Sequence, residues 1–230
     1  MEKSNIERII TVAKALKELN QQVVYVGGAV VQFYSDETAS AESRATVDVD
    51  CVVKYNSHVE KIRFEERLRE LSFREDLVDG VICRWTMQDE KVDIMPTDEK
   101  YLSFSNKWYG YGFDKKIQLL LDEECVIYIM PVLVFVASKF EAIRSRGGED
   151  LRCSHDFEDV IYVMNSCSLF VKEFIDEQNE ELKQYIKEQA LWLLNRKNLI
   201  EEIECVLPYG EEERVSQIIL KLGGIIDNTN

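Results

Sequence analysis

The stretch Val47-Asp48-Val49-Asp50-Cys51 alternates carboxylates with apolar side chains. A strand has a side-chain period of two, so Asp48 and Asp50 leave the backbone on one face and their apolar neighbours on the other. On an exposed face, water screens the two charges and the segment is an ordinary half-solvated strand. On a partly buried face, one carboxyl must be protonated or a cation must be bound. Aspartate is disfavoured in strands, which weighs against the first alternative. Magnesium is the cation that suits such oxygen ligands.

Upstream, Gln22 to Val26 reads as a short strand closed by Gly27-Gly28, and Ala29 to Tyr34 as the start of a helix. Paired glycines between strand and helix let backbone N–H groups approach a phosphate closely, or simply make a tight turn needing positive φ. Residues 4 to 19 carry Ile6, Ile9, Ile10, Val12, Ala13 and Leu16 at helical spacing after a Ser4 or Asn5 cap. Ser35 to Thr46 is small and polar without periodicity, a loop.

Downstream, Ser57 to Leu71 forms a surface helix, and short strands are expected at 81 to 86 and 91 to 95. Asp93 lies alone between apolar neighbours in Lys91-Val92-Asp93-Ile94-Met95. It is either a surface acid or, if this strand pairs beside Val47 to Val53, a third carboxylate for the first two. Lys116 to Leu121 and Glu124 to Met130 fit a hairpin, although apolar runs this short are compatible by pattern alone with strand or helix. From Pro131 the pattern is helical, with a helix to about Arg146 ended by Gly147-Gly148. Further helices are expected near 154 to 165, 168 to 179, 180 to 195 and 211 to 222. This predicts an α+β fold with a boundary near residue 130: a small mixed-sheet domain flanked by helices over 1–130, then a helical domain over 131–230.

Composition limits the partners. The 230 residues hold 43 acidic against 28 basic side chains, a formal charge of -15, which repels nucleic acid and anionic membrane. The longest apolar stretch, Cys125 to Ala137, is broken by Pro131 and too short to span a bilayer, and the N-terminus lacks a cleavable apolar leader; a cytoplasmic location with no membrane partner is expected. The six cysteines are scattered without a C-x-x-C pair and read as reduced, buried hydrophobes. His58 and His155 suggest no catalytic pair. The cluster Trp108-Tyr109-Gly110-Tyr111-Gly112-Phe113 is either a base-stacking surface or a packed loop against the second domain.

Tyr25-Val26-Gly27-Gly28-Ala29, Thr46-Val47-Asp48-Val49-Asp50 and Lys91-Val92-Asp93-Ile94-Met95-Pro96 together resemble the nucleotidyltransferase superfamily related to DNA polymerase beta. Over Pro131 to Val160, a helix bearing Lys139, Arg144 and Arg146 leads to Ser154-His155-Asp156-Phe157-Glu158-Asp159-Val160, which looks like the AbiEii-type members, many of them toxins of toxin-antitoxin pairs. One departure is the connection between Gly28 and Asp48, longer than in compact members; an insertion between Ser35 and Arg44 would accommodate it.

The resemblance implies transfer of a nucleoside monophosphate from a nucleoside triphosphate to an acceptor hydroxyl. Asp48, Asp50 and Asp93 would act as metal ligands for Mg2+ and as the catalytic acids, with Asp93 deprotonating or orienting the acceptor. Gly27, Gly28, Lys139 and Asp156 would hold the nucleotide in a cleft between the two domains. Read from the residues alone, Lys139 within an apolar run either snorkels to water or meets an anion. Asp156 and Asp159 share a helix face, as on any solvated helix, and favour its N-terminal dipole. The acceptor is a tRNA-like RNA, a protein or a small molecule such as an antibiotic, and an antitoxin protein is a further expected partner. The acidic balance favours the last two acceptors over RNA, unless basic residues at Lys61, Arg63, Arg67, Arg69 and Arg74, or at Lys139, Arg144, Arg146 and Arg152, face the cleft. A catalytically silent scaffold on the same fold is the alternative.

Overall fold

The computed structural model describes residues 3–36, 43–76, 80–146, 150–208, 210 and 213–227. The chain divides into two compact units, residues 1–30 with 44–131, and residues 31–43 with 132–230.

The first unit begins with α1 (Asn5–Leu16), whose Ser4 cap accepts from the Glu7 N–H while the Glu7 carboxylate accepts from the Ser4 N–H. Ile9, Val12, Ala13 and Leu16 form its buried stripe. A 3₁₀ segment, Lys17–Gln22, leads into β1 (Val23–Val26), buried at every position. After the glycine turn the chain enters the expected helix, which is of the 3₁₀ kind over Gly28–Tyr34.

Then come β2 (Asp48–Val53), α2 (His58–Glu70) capped by Ser57, β3 (Arg74–Glu75), β4 (Arg84–Met87), β5 (Glu90–Pro96), α3 (Tyr109–Asp114), β6 (Ile117–Leu120) and β7 (Val126–Ile129). Among the described residues these strands make one mixed sheet in the order β3-β4-β5-β2-β1-β7-β6. β2 lies antiparallel to β1 and parallel to β5, and β7 runs parallel to β1. Parallel neighbours cannot be joined by a tight turn, and α2 lies within the crossover between β2 and β5. The fold is thus α+β, with the mixed sheet expected from the sequence.

The second unit holds α4 (Val132–Arg146), α5 (His155–Ser166), α6 (Phe170–Asp176), α7 (Glu180–Leu194), α8 (Leu199–Val206) and α9 (Arg214–Asp227). Tyr34, from the 31–43 segment, packs its ring 4.6 Å from that of Phe135. Lys221 donates to the Met164 and Cys167 carbonyls at 2.8 and 2.9 Å, satisfying acceptors at the end of α5.

Several expectations are corrected. β3 and α8 had too few residues for a period to register, and the helix expected over 168–179 is confined to α6. The Trp108 aromatic cluster is a short helix with Trp108 buried, not a loop. Cys153 and Cys205 are exposed, while the other four cysteines are buried; all six are free. Residues 37–42 of the expected loop and insertion, the helix stop at Gly147-Gly148, and the expected helix start at 211 lie outside the described residues. Among the described residues no helix is long and apolar enough to cross a membrane.

The entry into β2 is fixed by one buried amide. Asn5 Oδ1 accepts from the Thr46 N–H at 3.0 Å and its hydroxyl at 3.1 Å, and Asn5 Nδ2 donates to the Arg44 carbonyl at 2.9 Å. Asn5→Ala removes the acceptor of the Thr46 N–H and the amide donor to the Arg44 carbonyl, while the Thr46 hydroxyl keeps the Asp48 carbonyl, and is expected to lower stability by about 1–3 kcal/mol, read from the midpoint of urea unfolding.

Candidate active site

Asp50 and Asp93 are direct Cα partners in the parallel β2–β5 pair, and Asp48 lies two residues before Asp50. Opposed residues on neighbouring strands share a face, as do residues two apart, so the three carboxylates emerge together. On the other face Val49, Cys51, Val92 and Ile94 are buried in the core. Asp93 is itself only 8% exposed.

A residue that the sequence motifs do not include joins these acids. Arg84 on β4 is the antiparallel Cα partner of Asp93. Its Nε donates to Asp93 Oδ1 at 2.7 Å, and one terminal nitrogen donates to Asp93 Oδ2 at 2.8 Å and Asp48 Oδ2 at 2.9 Å. Such a fork is the strongest ordinary pairing of guanidinium with carboxylate. The signal was available, since Arg84 occupies an alternating position in Cys83-Arg84-Trp85-Thr86-Met87, but the β4–β5 register was not.

Gly27 adopts φ +73°, and a Cβ there would lie 1.9 Å from Asp50 Oδ2. The turn therefore serves two purposes: a backbone conformation that side chains disfavour, and room for the Asp50 carboxylate against the main chain. At Gly28 a Cβ would lie 2.3 Å from a terminal nitrogen of Arg44. A second guanidinium thus lies over the glycine turn.

The oxygen donors are of the kind a hard divalent cation takes. Among the described residues, however, no three His, Cys, Asp or Glu side chains are grouped so as to hold one, and the Arg84 guanidinium bonds to two of the three acids. The carboxylates fit a cation in kind, with a fixed positive charge already among them. Nearby, burial pushes the Cys83 thiol up to about 12, with the charges of Asp93 and Asp50 adding to the effect.

In the second unit, Lys139 is buried within α4. Its ammonium lies 3.0 Å from Asp156 Oδ1 and 2.6 Å from Asp159 Oδ2, both on α5. Burial alone would lower its pKa, but Asp159 and Asp156 outweigh this and raise it. Arg146 adds a contact of 2.9 Å to Asp156 Oδ2. The residue expected to meet a triphosphate is thus the ionic tie between two helices.

The other basic side chains are largely paired. Lys61 bonds to Glu65, Arg67 to Glu18 and Glu70, Arg69 to Glu75, and Arg152 to Asp150 and Glu201. His58 stacks edge-on against Tyr101, and exposed His155 pairs with Glu158.

No family model matches the sequence, and no curated protein matches it. Among solved structures, the chain is similar to an antigenic nucleotidyltransferase-like protein from Paracoccidioides brasiliensis, at 15% identity and a TM-score of 0.50, over 88% of this chain and 93% of that one. The chain has a nucleotidyltransferase-like fold.

Two outcomes are expected. Gly27→Ala forces strain at positive φ and displaces Asp50, costing about 1–3 kcal/mol in thermal or denaturant unfolding. Lys139→Met leaves two carboxylates in the helical unit without their shared cation and should cost about 3–5 kcal/mol; undiminished stability would show that the triad does not tie α4 to α5.

Proposed function

We propose that the chain is a nucleotidyltransferase, moving a nucleoside monophosphate from a nucleoside triphosphate to an acceptor hydroxyl with release of pyrophosphate. The observation that carries this reading is the placement of Asp48, Asp50 and Asp93 on one face of adjacent parallel strands beside the Gly27 turn.

Asp48 and Asp50 would hold Mg2+, which when bound supplies charge stabilisation for the phosphoryl oxygens. Asp93, with both oxygens held by Arg84, keeps a lone pair directed by that grip and would accept the hydrogen of the acceptor hydroxyl. The hydroxyl oxygen then bonds to the α-phosphorus as the bond to the bridging oxygen breaks. The Gly27-Gly28 turn would bring backbone N–H groups to the phosphates.

The net charge of -15 and the pairing of basic side chains on α2 favour a small-molecule or protein acceptor over RNA. The likeness at Ser154 to Val160 supports the AbiEii-like kind, hence a toxin with an antitoxin protein partner. A catalytically silent scaffold is the second reading, favoured by the pairing of two of the three acids with Arg84.

Asp48→Ala and Asp50→Ala are each expected to reduce transfer from an α-labelled triphosphate, in Mg2+ with cellular protein and small-molecule fractions, by at least about a hundredfold. Far-ultraviolet circular dichroism should stay unchanged. Full transfer by either folded variant would assign the labelling to another site, and no labelling by the wild-type chain would favour the scaffold.

A further inference from the structure

The carboxylate face carries its own cation. Arg84 is bound unequally to the two acids it touches: two hydrogen bonds, at 2.7 and 2.8 Å, fix it to Asp93, and one, at 2.9 Å, reaches Asp48. Its side chain is 13% exposed, Asp93's is 11% and Asp48's is 26%. The forked end is therefore the more deeply buried, and the single bond lies toward solvent.

A divalent ion held by Asp48 and Asp50 needs the Asp48 oxygens turned toward it. The guanidinium already engages one of them, and its charge repels an arriving cation. Since a forked pair outlasts a single bond, Asp48 is the acid that changes partner while Asp93 stays with Arg84.

Resting on the reading of Asp48 and Asp50 as metal ligands, we propose that Arg84 is a resident counter-cation which a divalent ion must displace from Asp48, so that the protein alone takes up its metal weakly. Arg84 acts as a positioning residue: it holds Asp93 in place and keeps Asp48 turned aside until a divalent ion competes for it. The phosphates of a bound nucleotide would then shift this competition toward the metal by adding negative charge. Lysine, a point charge without a planar fork, would keep the repulsion but lose the two-point grip on Asp93.

The test is Mn2+ binding to the 230-residue chain without nucleotide, followed by electron paramagnetic resonance of the free ion. Arg84→Met should tighten binding about tenfold or more, the equivalent of one charge-assisted hydrogen bond. Arg84→Lys should stay within about threefold of wild type, because the charge is retained. Unchanged or weaker binding by folded Arg84→Met overturns the inference while leaving the metal reading intact. Absence of Mn2+ binding in both wild type and Arg84→Met overturns the metal reading itself, and Asp50→Asn should abolish whatever binding is seen. If Arg84→Met fails to fold, side-chain 15N spectra of wild-type arginine decide. Saturating Mg2+ should shift the terminal guanidinium signals of Arg84 while its Nε–H, bonded to Asp93, stays protected; an unmoved Arg84 would overturn the proposal.

Discussion

Three carboxylates on one face of two adjacent strands repel one another, and Asp93 is nearly buried. The arrangement holds because the next strand places Arg84 in register with Asp93 and lets its guanidinium reach Asp48 as well. The sheet order β4-β5-β2 is thus also an electrostatic order, in which a cation-bearing strand flanks an acid-bearing one, itself beside the strand with two acids. Gly27 completes the arrangement by leaving space for Asp50 at the end of β1.

Much of this was legible in the chain. The period-two pattern around Asp48 and Asp50 located β2 within one residue, and the choice of Ser4 or Asn5 as a cap located the start of α1, whose end at Leu16 falls three residues short of the expected one. The mixed sheet and the change to helices near Pro131 followed from pattern alone. What stayed hidden depends on register, a tertiary property. Arg84 faces Asp93 because of how β4 pairs with β5, and no local period carries that information. Lys139 was hidden for a similar reason, since an isolated cation in an apolar run gives no sign of whether its partner is a ligand or a neighbouring helix. β3 has two residues and α8 eight, which leaves little room for a pattern.

The two units handle buried charge alike. In the first, one guanidinium serves two aspartates; in the second, one ammonium serves Asp156 and Asp159, with Arg146 beside Asp156. In both, two acids share one largely enclosed cation, Arg84 with its side chain 13% exposed and Lys139 with its side chain 8% exposed. The difference lies in exposure: Asp48 keeps a face toward water, whereas Asp159 is almost completely enclosed. The first arrangement can exchange partners at modest cost, while the second behaves as a structural crosslink, because opening it strands charge in an apolar interior.

The in-register pairing of Asp50 with Asp93 also guards the sheet against misassembly. Sliding β5 by a single position would rotate its acid into the layer occupied by Val92 and Ile94 and leave the guanidinium facing an aliphatic neighbour. Wrong alignments are thereby penalised by charge as well as by packing.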